Sequence, residues 1–239
     1  MERLQKVIAN LGYTSRRHAE ELILLGQVKV DGEVITELGY KVKKQAKIEV
    51  EGVILDNNKT YEYYLLNKPK GVVTTTHDEK GRKTVVDLIA TETRIYPIGR
   101  LDYDTTGLLL LTNDGTLTNL LNAPKSNIDK TYIAKINNIV KLNDIKKLRD
   151  GVIINNIKTS RAKVKLKSID RKNNTSILEI VIHEGRNHQV KKMFESLGYQ
   201  VLKLKREKYA NLDLKGVSVG SYRRLTPKEV TTLYSLVKK

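Results

Sequence analysis

Two short stretches hold the side chains best suited to chemistry. The first, Ile98-Gly99-Arg100-Leu101-Asp102-Tyr103-Asp104-Thr105-Thr106-Gly107, is polar, contains two glycines and runs straight into the apolar segment Leu108–Leu111. A carboxylate on a loop anchored to a rigid buried strand is a common way to hold a catalytic group. The same residues also suit a plain turn in which Asp102 or Asp104 accepts hydrogen bonds from its own backbone. The second stretch, His183-Glu184-Gly185-Arg186-Asn187-His188-Gln189-Val190-Lys191-Lys192, gathers basic and amide donors around a helix start, where free backbone N–H groups favour anions. A solvated helix start would have the same composition. His183, Glu184 and His188 are also metal-ligating types, but they lack a recognised ligand spacing with orienting partners, so no metal is expected.

The elements that must position these stretches are mostly strands. The alternation of apolar residues predicts strands over 62–66, 72–76, 108–112, 132–136, 152–157, 162–167 and 176–183. Short helices are expected over 84–90 and 116–122, and a longer one over 187–197, with Val190, Met193, Phe194 and Leu197 on one side. The first sixty residues read as a separate module. Leu4, Val7 and Ile8 share one helical face, and Gly12 closes that helix. Ser15 caps a second helix over 16–25 that turns Ala19, Leu22 and Ile23 inward, and Gly26 stops it. Val28 and Val30 lead into Asp31-Gly32, a strong hairpin signal, with further strand pattern through Ile48 and Val50. Asp56-Asn57-Asn58-Lys59 is a polar breaker and the expected linker.

Composition narrows the possible partners. Lys and Arg number 44 against 27 Asp and Glu, a net charge of +17, which suits a polyanion. A uniformly Lys-rich surface would spread this charge evenly, and it is not even. Residues 1–59 carry 10 basic and 9 acidic residues, whereas residues 160–239 carry 19 and 7. No basic stretch has a strong apolar face opposite it, so nucleic acid is favoured over a membrane surface. The absence of cysteine removes disulfides, thiolate metal sites and cysteine nucleophiles. The charged start of the chain and the short apolar runs predict neither a signal peptide nor a membrane span, and a cytoplasmic location.

The two stretches are more specific together than apart. Residues 99–115 closely resemble the catalytic motif of the RsuA/RluB/RluE/RluF family of ribosomal RNA pseudouridine synthases. Lys68-Pro69-Lys70-Gly71-Val72-Val73-Thr74-Thr75 is similar to that family's early motif, Lys130-Thr131-Tyr132 to its Lys-x-Tyr motif, and residues 184–194 to its late basic motif. Leu202-Lys203-Leu204-Lys205-Arg206 fits as well, and all occur in family order from Tyr61 onward. Residues 1–59 resemble the S-four RNA-binding domain. The loop from Thr74 to Arg82 is more similar to the RluB-type branch, which modifies large-subunit (23S) rRNA.

The resemblance implies an α+β fold: a small S-four-like RNA-binding module over 1–59, then a larger catalytic domain over 60–239 built on a mixed, mostly antiparallel sheet. It implies isomerisation of uridine to pseudouridine without a cofactor. Asp102 would be the essential carboxylate, attacking the sugar or acting through a glycal intermediate. Lys191 would be its cationic partner, since desolvation opposes an ionised carboxylate and a nearby cation favours it. Tyr132 would stack on the target base, and Arg100 would help displace that base from its helix. Arg3, Lys6, Ser15, Arg16, Arg17 and Lys29 fall where the S-four domain contacts RNA. Arg186, Lys203, Lys205 and Arg206 would hold the RNA backbone, which positions without specifying. The implied partner is ribosomal RNA or a ribosomal assembly intermediate, bound by a monomer. A non-catalytic RNA-binding protein would explain the charge but not residues 99–115. A methyltransferase or tRNA synthetase would need a glycine-rich nucleotide loop after a first strand, and none is found.

Overall fold

The structure, a computed structural model, describes residues 1–56 and 60–237. The expected linker at 56–59 therefore lies largely outside the described residues. Two compact units are resolved. One comprises Met1–Glu62 with the segments Thr91–Ile95 and Asn113–Gly115; the other comprises the rest of the chain.

In the first unit, α1 (Leu4–Asn10) and α2 (Arg16–Leu24) precede a four-stranded antiparallel sheet. Ser15 caps α2 by accepting a hydrogen bond from His18 N at 3.0 Å, satisfying one free N–H of the first turn. Strands β1 (Val28–Val30) and β2 (Glu33–Val34) are joined by Asp31 and Gly32, with φ of 53° and 93°, the left-handed pair that a tight hairpin needs. Strands β3 (Ile48–Val50) and β4 (Val53–Ile54) complete the sheet in the order β2-β1-β3-β4. Leu4, Ile8, Ala19, Leu22 and Ile23 from the helices pack with Val28, Val30, Ile48 and Val50 in one core.

The second unit is built on a nine-stranded mixed sheet. Its principal strands are β5 (Tyr63–Lys68), β6 (Tyr96–Ile98), β7 (Thr106–Thr112), β8 (Lys130–Asn137), β9 (Lys163–Asp170), β10 (Thr175–Ile182), β11 (Val201–Tyr209) and β12 (Tyr222–Arg224). They run in the order β9-β10-β8-β11-β7-β5-β12, with β6 added beside β7 and the short strand Leu212–Asp213 beside β11. Every pairing is antiparallel except β11 with β7, where Lys205 lies opposite Thr106 and Arg206 opposite Gly107. Leu108 and Leu110 of β7, with Leu65 and Ile98, form the centre of the core. It is joined by Leu117 and Leu121 from helix α3 (Gly115–Asn122) and Leu233 from the C-terminal helix. Burial of each such leucine contributes about 1.5–3 kcal/mol.

Several expectations are corrected. Val72–Thr76 is not a strand: only Val73 forms an isolated bridge, to Thr84, and Thr74 is drawn instead toward the loop at Leu101. The helix expected over 84–90 reduces to one 3₁₀ turn, Val86–Leu88. The strand expected over 152–157 is a hairpin of two short strands, because Asn155 and Asn156 take φ of 50° and 62° and reverse the chain. Helices α4 (Leu142–Asp150), α5 (Gln189–Glu195) and α6 (Pro227–Val237) complete the unit, and of these three the sequence periodicity predicts only α5. Among the described residues, no helix is long and apolar enough to cross a membrane.

Candidate active site

The loop that carries Asp102 links β6 to β7, and the chain clamps it from several directions. Lys68, at the end of β5, is wholly buried, and its Nζ donates to the carbonyls of Pro69, Asp102 and Thr105 at 3.0, 3.1 and 3.0 Å. Burial pushes the Lys68 pKa down to about 8, although Asp102 and Asp104 pull the other way. Thr74 Oγ1 donates to Leu101 O at 2.6 Å, and Gly71 N donates to Tyr103 O at 2.9 Å. The run Lys68–Thr74 thus grips the peptide groups at Leu101, Asp102, Tyr103 and Thr105. At the far end of the loop, Gly107 has φ of +106°, and a Cβ there would lie 2.2 Å from Arg206 O. Only glycine lets β7 enter its parallel pairing with β11 at that point.

The main chain of Asp102 is therefore fixed while its side chain stays partly open, 28% exposed, at the edge of a cleft of about 780 Å³. Lys191 Nζ lies 3.2 Å from Asp102 Oδ2 and 2.6 Å from Asp104 Oδ1, so one ammonium bridges both carboxylates. The Lys191 hydrogen bond holds the Asp104 pKa below the ordinary carboxylate range, against the opposing effect of burial. Burial also disfavours the Lys191 charge. The hydrogen bonds to Asp104 and Asp102 outweigh it and hold that pKa above the usual lysine value. The spacing of α5 makes this possible: Val190, Met193 and Phe194 turn inward, leaving Lys191 beside the loop. His188, just before α5, adopts φ of 52° and places Nε2 3.3 Å from Asp102 Oδ1. A left-handed non-glycine residue at such a point marks a conformation held by its surroundings.

Strands β8 and β11 supply the floor of the cleft. Tyr132, 8% exposed, lies opposite Ile180 on one side and Arg206 on the other. Positions 206 and 209 are an odd number apart and would face opposite ways in a regular strand. The register steps from Tyr132 opposite Arg206 to Thr131 opposite Lys208. This β-bulge brings both Arg206 and Tyr209 to the cleft. Lys130, opposite Tyr209, also lines it and donates to Ile128 O and His183 O at 3.3 and 3.1 Å. Burial pushes the Lys130 pKa down to about 8, with help from the Arg206 charge and against that of Asp129.

The structure brings Asp102, Tyr132, Arg100 and Arg186 to one cleft, with Lys191 reaching Asp102 from beside it. Arg100 is exposed at its lip. Arg186 is held in place, donating to Glu184 Oε1 at 3.0 Å and to the carbonyls of Ile157 and Lys158. Arg206 departs from expectation. It is 2% exposed, and its Nε donates to Leu108 O at 2.7 Å, so it belongs to the floor and not to an outer basic face. Strand alternation is the reason: Leu204 and Arg206 point inward, while Lys203 is exposed and Lys205 is half-exposed beside Glu207. In the first unit Arg3, Arg16 and Arg17 are exposed, Lys6 pairs with Glu2 and Lys29 with Glu49. Ser15 Oγ is occupied as the α2 cap. Sequence reasoning gives Lys68 and Thr74 no role and considers His188 only as a metal-ligating type, although each falls within a motif quoted above. Among the described residues, no group of three or more His, Asp or Glu is placed to hold a metal ion.

A family model described as RNA pseudouridylate synthase matches residues 62–196, and one described as the S4 domain matches residues 2–48. The chain is 54% identical over 237 residues to the ribosomal large subunit pseudouridine synthase B of Bacillus subtilis (strain 168), covering 99% of this chain and 97% of the relative. It is 37% identical over 238 residues to an uncharacterized RNA pseudouridine synthase of Aquifex aeolicus (strain VF5), covering 98% and 94%. Among solved structures, a crystal structure of a pseudouridylate synthase matches with a TM-score of 0.69 at 31% identity, over 98% of this chain and all of the other.

Proposed function

The chain belongs to the RNA pseudouridylate synthase family, and from that premise we propose that it converts one defined uridine of large-subunit (23S) ribosomal RNA to pseudouridine. The observation that carries this reading is the Asp102 carboxylate, fixed through its main chain, open to a cleft and 3.2 Å from the Lys191 ammonium. Its large-subunit target rests on the 54% identical relative, whose name specifies that subunit.

Isomerisation needs the bond from C1′ to N1 broken, the uracil turned, and a bond from C1′ to C5 formed. The C5 proton leaves and N1 gains one, so no cofactor is required. Asp102 acts as the nucleophile toward the ribose and is displaced from it when C5 attacks, with the Lys191 ammonium 3.2 Å from its carboxylate. Tyr132, whose ring lines the floor, stacks on the target base. That base must leave its helix, at a cost of about a few kcal/mol, and Arg100 at the cleft lip compensates by taking its place. Arg186, Lys203 and Lys205 hold the RNA backbone, and Arg3, Lys6, Ser15, Arg16, Arg17 and Lys29 of the first unit add contacts of the same kind. The protein acts as a monomer in the cytoplasm, on ribosomal RNA or an assembling particle.

The test is direct. Purified protein is incubated with transcripts of large- and small-subunit rRNA, and pseudouridines are mapped by reverse transcription after carbodiimide treatment. One new stop in the large-subunit transcript is expected, without added cofactor. Conversion of neither RNA, or dependence on an added methyl donor, would overturn the reading.

A further inference from the structure

The floor of the cleft contains polar groups that the roles given above leave unused. Arg206 and Tyr209 are each 2% exposed, yet Arg206 Nη2 and Tyr209 Oη have no hydrogen-bond partner among the described residues. Lys130 gives two of its three ammonium hydrogens to carbonyls, which leaves one over. The three side chains form a stack: Lys130 Nζ lies 5.7 Å and Arg206 Cζ 5.3 Å from the centre of the Tyr209 ring. Neither cation forms an ion pair among the described residues, and the neighbouring carboxylate, Asp129, pairs with Lys163 at 3.3 Å. Desolvated cations without a counterion are costly, and a fold under selection for stability alone would place apolar side chains there. Structural duty explains the Nε of Arg206, bonded to Leu108 O, but neither its Nη2 nor the tyrosine hydroxyl.

We propose that Arg206, Tyr209 and Lys130 bind the uracil while it is detached from the ribose and hold the negative charge it carries away. The proposal rests on the pseudouridine synthase reading above. When the bond from C1′ to N1 breaks, its electron pair stays on N1, and the charge spreads over N1, O2 and O4. This is so whether Asp102 then bonds to C1′ or instead accepts the C2′ proton and later returns it. C5 next attacks C1′, which expels the Asp102 carboxylate where it had bonded there or returns the proton to C2′ where it had not; the C5 proton departs and N1 is protonated, so the step balances without a co-reactant. Two cations and a hydroxyl fixed around such an anion stabilise it more than they stabilise the neutral base of the substrate. Burial lifts the Tyr209 pKa to about 12 despite the nearby Arg206 charge, so the hydroxyl retains its proton to donate.

Tyr209→Phe is the decisive variant because it keeps the ring and removes only an unpartnered hydroxyl. Loss of an unsatisfied buried group leaves thermal stability unchanged or raised. The substrates are two rRNA transcripts, one with uridine and one with 5-fluorouridine, whose base is the better leaving group. Turnover of both by the unsubstituted protein is established first, since its absence would count against the reading above and not against these three residues. Single-turnover loss of the parent nucleoside is then followed in nuclease digests. With uridine, Tyr209→Phe should slow cleavage by about 10²-fold. The loss should be several-fold smaller with 5-fluorouridine, whose anion needs less help. Lys130→Met should show the same contrast. Equal losses on both substrates, or full activity of Tyr209→Phe, would overturn the proposal.

Discussion

Gly107→Ala probes how the fold holds the site. At φ of +106° an alanine is strained, a cost of about 1–3 kcal/mol before any contact is considered. The added Cβ would also lie 2.2 Å from Arg206 O and 2.8 Å from Arg206 N, both backbone atoms that no rotamer change can move. Relief requires β7 and β11 to part by about an ångström, which gives up their short parallel ladder at about 1 kcal/mol per hydrogen bond. The expected loss of stability is about 3–6 kcal/mol. Gly99→Ala, at the other end of the same loop, is the control. Its φ is +72°, and its nearest atom is a side-chain oxygen, Asn122 Oδ1, at 3.4 Å. That substitution should cost only about 1–2 kcal/mol. Urea denaturation followed by far-ultraviolet circular dichroism measures both. The rRNA conversion assay at low temperature should show Gly107→Ala the more impaired, because Arg206 and the Asp102 loop move apart. Equal midpoints for the two variants would refute the close approach of the strands.

The remaining predictions concern charge. Lys191→Met should slow conversion by about 10²-fold or more by removing the cation beside Asp102. Asp104→Asn should change it by no more than about fivefold, since the Asp104 side chain is 55% exposed and such pairs are weak. Equal effects of the two would place the important carboxylate at Asp104. Arg223 donates to both carboxylate oxygens of Glu229 at 2.6 and 2.8 Å and holds its pKa down to about 2. A depressed carboxylate pKa stabilises the fold above its unfolded value of about 4.5 and ceases to do so as pH falls toward 2. Glu229→Gln should therefore lower stability by about 1–3 kcal/mol at pH 7, and the gap should close in acid, as denaturant titrations at several pH values would reveal. RNA affinity should fall with salt by a log–log slope of about −0.7 per single-strand phosphate contacted, and a flat response in a filter-binding assay would contradict the basic-surface assignment.

What could be read in the sequence was local. The Ser15 cap, the Asp31-Gly32 turn and the buried run at Leu108–Leu111 each depend on neighbours a few residues away. Helix α4 escaped notice because only Ile145 and Leu148 of its apolar residues are buried, a narrow stripe in a charged segment. Helix α6 buries only Leu233 fully. Lys68 lay inside a marked motif, but its role depends on carbonyls 34 and 37 residues away. In sequence, Lys203, Lys205 and Arg206 all read as contacts to the RNA backbone. Strand register was needed to separate exposed Lys203 from buried Arg206, and the bulge to bring Tyr209 beside it. His188 reaches Asp102 only because its backbone is left-handed, which residue type alone does not reveal.

The central claim is that Asp102 performs the chemistry. Asp102→Asn preserves size and leaves its main-chain carbonyl available to Lys68 and Thr105, so the loop should keep its shape. The measurement is single-turnover formation of pseudouridine in the large-subunit transcript by this variant, with its folding checked by circular dichroism and its RNA affinity by filter binding. The variant should fold, bind RNA and form no pseudouridine. Conversion at the wild-type rate would contradict the account.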